Sequence, residues 1–232
     1  MGSDSPWPRR EHGELHKLSD NLWLVEGPVP GMLYRRQMVV ARDEHGQLLL
    51  HSVIALDCAG MSALEALGAP TWLVVPNGYH RLDAPAYAQR YPQLRVVTPR
   101  GSVERVQAVV GVSMTYDEFP GGSTLQLEPA PWPNAPEGIL RVRSPDGVTL
   151  VFNDLLWTPP EAGWSAPLYR LLRQKPQVPF VARRMFASDR APLKTWLETL
   201  AQTQGLVRVI PGHGPPITRD APAALSRVAA AL

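Results

Sequence analysis

Two groups capable of chemistry stand at the ends of apolar strand patterns in this chain. Val207-Arg208-Val209-Ile210 has three aliphatic residues in four and reads as a short buried strand. It runs into Pro211-Gly212-His213-Gly214, whose glycines stop the strand and leave the His213 imidazole on a loop at its end. Upstream, Thr149-Leu150-Val151-Phe152 is a second strand pattern, and it ends in Asn153-Asp154. Loops at strand ends carry chemistry more often than strand interiors do. A carboxylate and an imidazole placed this way suit a metal site at a sheet edge.

The surrounding elements must bring these ends together. Asn21 to Glu26 is a strand pattern. Met38–Arg42 and Gln47–Val53 form a hairpin around Asp43-Glu44-His45-Gly46, and Met61–Gly68 is a short helix closed by glycine. Thr71–Val75 is a continuous apolar run, as in a strand covered on both faces. A helix over Ala84–Arg90 is opened by Asp83 as N-cap, with Pro85 in its first turn; strand Leu94–Val97 and helix Ser102–Val110 follow. This strand–helix succession indicates α/β layering. Ser123–Leu127 alternates, and Ile139–Arg143 and Val148–Phe152 flank the turn Pro145-Asp146-Gly147. After Asp154 a stretch rich in Trp, Pro and Arg predicts loops and short helices. Helix Asp189–Gln204 presents Leu193, Trp196, Leu197 and Leu200 on one face, and Ala221–Leu232 is a terminal helix. No repeat or linker divides the chain, so residues 15–232 read as a single domain behind a flexible N-terminal segment, 1–14.

Composition narrows the function classes. The 232 residues are 44% hydrophobic and 19% charged, enough for a sizeable core. The formal charge of +2 comes without a dense Lys/Arg run, which argues against nucleic-acid binding. Cys58 is the single cysteine, so no intrachain disulfide forms. It reads as a small buried hydrophobe before a reactive thiol. No segment approaches the roughly 20 apolar residues that span a bilayer, and the N-terminus lacks a secretory pattern. The expectation is a cytoplasmic protein with a possible small-molecule ligand, no nucleic-acid or membrane partner, and an oligomeric state the sequence does not define. His12, His16, His45 and His51 read as solvated or packed, and Trp132, Trp157 and Trp164 as loop residues that could line an apolar pocket.

In this order the features resemble the metallo-β-lactamase fold superfamily, over roughly residues 15 to 230. The resemblance implies an α/β architecture, a four-layer αββα sandwich with a metal site between the edges of its two sheets. It places the metal-bridging Asp on Asp154 and the last His on His213. The main motif, His-x-His-x-Asp-His, falls on Asn77-Gly78-Tyr79-His80-Arg81-Leu82. There Asn77 and Tyr79 replace the two His, Arg81 the Asp, and Leu82 the final His, with His80 one position out of phase. The loop for a third His, Pro129–Asn134, contains none. The chain is thus similar to a divergent branch with an Asn-x-x-His loop followed by Arg.

A hydrolytic zinc site takes about three protein ligands and an open position for water. A dinuclear site needs more than this chain offers. The expected state is a degenerate site without metal, in which Asn77, Tyr79, His80, Arg81, Asp154 and His213, with Trp132 nearby, bind a ligand or serve structure. In that reading the guanidinium of Arg81 pairs with Asp154, and His80 stacks on Tyr79 or caps the helix after Leu82. The alternative is a mononuclear metallohydrolase in which His80, Asp154 and His213 hold one Zn or Fe ion. The resemblance then implies ester-like or thioester-like substrates.

Overall fold

The structure is a computed structural model that describes residues 7–32, 34–160, 166–172, 174–186 and 189–232. Strands β1 (His16–Ser19), β2 (Leu22–Pro28), β3 (Arg35–Arg42) and β4 (Gln47–His51) form an antiparallel meander. Its β3–β4 turn is the expected one, with Gly46 at φ 79°. Helix α1 (Cys58–Glu65) leads to β5 (Ala69–Val74), α2 (Ala84–Arg90) to β6 (Arg95–Thr98), and α3 (Val103–Gln107) to the short β7 (Met114–Thr115). Strands β5 to β7 add in parallel and complete a seven-stranded sheet in sequence order. The second sheet has the order β11-β10-β9-β8, from β8 (Leu125–Pro129), β9 (Gly138–Ser144), β10 (Gly147–Val151) and β11 (Leu206–Ile210). Helices α4 (Ala166–Leu171), α5 (Phe180–Phe186) and α6 (Arg190–Ala201) lie between β10 and β11 in sequence, and α7 (Ala221–Ala230) follows β11.

Strand alternation sorts the apolar residues into three cores. Val25, Met38, Leu48, Leu50 and Leu73 face the outer helices, against Leu64 of α1, Tyr87 of α2 and Val106 of α3. Their neighbours Leu24, Val39, Leu49 and Val74 face inward and meet Leu127, Leu140, Val151 and Ile210 of the second sheet. That sheet's other face, with Ile139, Leu150 and Val209, packs on Phe186 of α5, Leu197 of α6 and Leu225 of α7. Helix on sheet, sheet on sheet and sheet on helix make the αββα sandwich.

Some local expectations change. The helix expected over Ser102–Val110 is one 3₁₀ turn (Arg100–Ser102) followed by the shorter α3. Asp83 occupies the N-cap position of α2 but makes no side-chain cap bond there. Its carboxylate instead accepts from Arg10 Nε, Arg36 Nη2 and Ala55 N. Asp189 does cap α6, accepting from Ala191 N at 3.0 Å. Cys58 is exposed at the start of α1 rather than buried, because the helix turns that end to solvent. Of the N-terminal segment, residues 1–6 lie outside the described residues. From Trp7 onward the chain is tied down: Trp7 Nε1 donates to Leu56 O, Arg10 N to Ala55 O, and Gly13 N to Glu26 O. No helix among the described residues is long and apolar enough to cross a membrane.

Candidate metal and ligand site

His80, Asp154 and His213 converge where loops from the two sheets meet, with one ligand atom of each within 4.8 Å of the others. Asp154 follows β10. His213 follows β11, the parallel neighbour of β10, so both loops leave the same sheet end. Gly212 lets these loops touch, since a Cβ there would lie 2.8 Å from the Asn153 backbone. Gly214, at φ 91°, turns the chain after His213 in a conformation that suits glycine, and a Cβ would collide with Thr158 O.

The first-sheet loop supplies His80 through Asn77. Asn77 is fully buried, and its Oδ1 accepts from Tyr79 N at 2.8 Å and His80 N at 3.2 Å. This side-chain turn winds the loop tightly and swings the His80 ring inward. The apparent phase error of His80 in the sequence is removed by that turn. Arg81 is carried the other way. It does not pair with Asp154; its Nη1 donates to Arg105 O beyond the loop. The residue that answers Asp154 Oδ2 is Asn77, whose Nδ2 donates at 2.8 Å.

Asp154 Oδ1 lies 3.2 Å from His80 Nε2 and 3.1 Å from His213 Nε2. Burial pushes the Asp154 carboxyl up, but the charges and hydrogen bonds of His80 and His213 outweigh it and hold the group well below the usual carboxylate range. Each imidazole is anchored at its far nitrogen: His213 Nδ1 donates to Arg35 O at 2.8 Å, and His80 Nδ1 contacts Ser52 Oγ at 2.9 Å. Anchoring Nδ1 turns Nε2 toward the centre, the arrangement metal-binding histidines use. The His–Asp separations also match the edge of a zinc tetrahedron, about 3.3 Å for ligand bonds of about 2.0–2.1 Å. The donor set fits one small divalent ion. Among the described residues it is the one such group of His, Cys, Asp or Glu.

Three further residues complete the centre without a signature in the sequence. Glu137, between β8 and β9, is fully buried; it accepts from Asn77 Nδ2 at 3.0 Å, Leu155 N at 2.8 Å and Asn153 N at 3.2 Å. Burial, then the charge of Asp154, push its carboxyl up to about 8 against those bonds. Ser52, at φ 54°, holds His80 from a backbone conformation rare for a residue with a Cβ. His51, beside it, is buried with neither ring nitrogen partnered among the described residues. Burial, then the charge of His80, lower its pKa to about 3.

The centre opens on a cavity of about 620 Å³. Met32, Tyr34, Leu82, Trp157, Met185 and Phe186 give it an apolar wall, and Arg36 contributes a cation. Tyr34 packs edge-on against the His213 ring at 4.7 Å. Tyr79 stands at the wall rather than in the centre, near Phe186 at 6.0 Å and under the Arg105 guanidinium at 4.8 Å. Trp157 lines the cavity as a loop tryptophan could. Trp132 does not line it; it packs edge-on against Trp196 at 6.4 Å, on the outer core of the second sheet. Trp164 lies outside the described residues.

The sequence matches no protein-family model and no curated protein. Similarity appears at the level of structure. A Nostoc sp. PCC 7120 protein assigned as diflavin flavoprotein A 5 (fragment 1–254) superposes with a TM-score of 0.66 at 13% identity, covering 96% of this chain and 98% of its own. The mono-zinc form of metallo-β-lactamase FIM-1 from Pseudomonas aeruginosa gives 0.62 at 13% identity, covering 97% and 98%. The Flv1 flavodiiron core from Synechocystis sp. PCC6803 gives 0.63 at 12% identity, covering 96% of this chain and 62% of that one. This chain has the metallo-β-lactamase fold.

Proposed function

We propose that the protein is a mononuclear metallohydrolase of this fold, acting on a small ester-like or thioester-like molecule with an apolar body. The observation that carries this reading is the pair of anchored imidazoles. With Nδ1 of His213 committed to a carbonyl, its neutral form presents a bare Nε2 lone pair to the Asp154 carboxylate. Two acceptors at hydrogen-bond distance require a cation between them or a second proton on the ring. A mono-zinc relative of the same fold supports the first option. His80, Asp154 and His213 would hold the ion, which when bound supplies a Lewis acid and a water acidified to a pKa of about 7. The chain's own residues do the rest. Asn77 fixes the second oxygen of Asp154, Ser52 and the Arg35 carbonyl fix the rings, and the apolar wall excludes bulk water around the bound molecule.

A second reading, a metal-free binding module, is favoured by one observation: Asp154 already meets Asn77 Nδ2 at 2.8 Å and the His80 and His213 rings at 3.2 and 3.1 Å without an ion between them. Elemental analysis of untagged protein, with zinc and ferrous titrations followed by melting temperature, separates the two. The hydrolase reading expects about one equivalent, lost in His213→Ala, and metal-dependent cleavage of 4-nitrophenyl or thioester probes. No uptake and no metal-induced stabilisation would leave the binding module. Two tight equivalents would overturn both.

A further inference from the structure

The geometry points to Arg36 as an anion-recognition residue, selecting molecules that carry one carboxylate on a hydrophobic body. This rests on the cavity serving small-molecule binding, as proposed above, and specifies what the cavity takes. Arg36 lies on β3, opposite Gly27, and only 4% of its surface is exposed, yet it is one of the residues that line the cavity. Its Nη2 donates to Asp83, while its Nε has no acceptor among the described residues. A buried donor without a partner is costly, and a ligand oxygen is the natural remedy.

Charge counting strengthens the case. Asp83 is fully buried and serves two guanidiniums, Arg36 and Arg10, at once. One carboxylate between two permanent cations leaves a surplus of a single positive charge at that wall. The other carboxylate on the cavity, Asp154, is held by Asn77 Nδ2 at 2.8 Å and lies against the His80 and His213 rings, away from the Arg36–Asp83 pair. The rest of the lining is chiefly apolar, so the surplus acts through a poorly polarisable medium. A single surplus charge suits a monoanion, and a guanidinium fork suits a carboxylate. The apolar wall along α5 suits an alkyl or aromatic body.

The test compares octanoate with octanamide, which share length and shape but not charge, by titration calorimetry. It uses chelator-treated protein, so that a carboxylate–metal bond cannot produce the result and the metal proposal stands or falls separately. The expected result is that octanoate binds at least about tenfold tighter, and that the preference disappears in Arg36→Met/Asp83→Asn, a double change that leaves no buried carboxylate orphaned. Equal affinities in the wild type would overturn the inference. So would a preference that survives the double variant, which would assign the anion to the imidazoles. If the variant does not fold, a crystal structure of the wild type with octanoate decides: a carboxylate on Arg36 supports the inference, and one elsewhere overturns it.

Discussion

Asn77 Nδ2 donates both to Asp154 Oδ2 at 2.8 Å and to Glu137 Oε2 at 3.0 Å, so one neutral amide bridges two acidic side chains beneath the cavity. Its carbonyl oxygen meanwhile fixes the turn that delivers His80. Asn77→Ala removes all of this at a fully buried position. We expect a loss of about 2–4 kcal/mol in urea unfolding, from orphaned acceptors and a small void. Asn77→Asp should cost more, since it replaces the bridging donor with an acid set against the Asp154 carboxylate and the Glu137 carboxyl. A loss under about 0.5 kcal/mol for either change would refute the bridging role.

Arg81 faces away from the centre, bonded to a backbone carbonyl on α3. Arg81→Ala should therefore cost under about 1 kcal/mol, as for a surface interaction. In a double-mutant cycle with Asp154→Asn the two effects should add within about 0.5 kcal/mol. Larger coupling would restore the ion pair that the loop sequence suggested.

Stability should depend on pH from two sides. The Glu137 carboxyl is raised in the folded protein from 4.5 to about 8, so the native state holds its proton more tightly than the unfolded chain. That contribution is complete below about 4.5 and is lost as pH rises towards 8. The His51 imidazole moves oppositely, lowered from 6.5 to about 3. Its contribution is complete above about 6.5 and is lost as pH falls towards 3. Denaturant unfolding between pH 3 and 9 should give a maximum in mildly acidic solution. Glu137→Gln should flatten the alkaline limb, and His51→Leu the part of the acid limb above about pH 4, below which the depressed Asp154 carboxyl adds its own loss. Limbs unchanged by these substitutions would place the titrating groups elsewhere.

The layers were legible because strand alternation and turn chemistry are local. The runs at Thr71–Val75, Val148–Phe152 and Val207–Ile210 became β5, β10 and β11 within a residue or two at most ends. His213 and Asp154 were legible for the same reason, since each ends a strand. The loop after β5 was not, because its geometry depends on a side chain folding back on its own backbone. Asn77 shortens the path, so counting positions along an extended loop put Arg81 where His80 stands. Glu137 was hidden differently. It is one acidic residue in a Pro-rich loop, and only the packing of β8–β9 against the strand ends reveals that it is enclosed. Trp132 and Trp157 are alike in composition and setting, and only the tertiary fold sends one to the cavity and the other to the helix layer.

Asp83 gives the N-terminal segment a role that its sequence does not suggest. Arg10 reaches the same carboxylate as Arg36, at 2.9 Å, and is itself about one-third exposed. Without Arg10, Arg36 and Asp83 would form a neutral pair and the cavity wall would lose its surplus. The electrostatic character of the pocket is thus set from outside it, by a residue on a strap that does not line the cavity. Whatever lifts that strap, a cleavage or a fused tag, would change what the pocket accepts without altering a single wall residue.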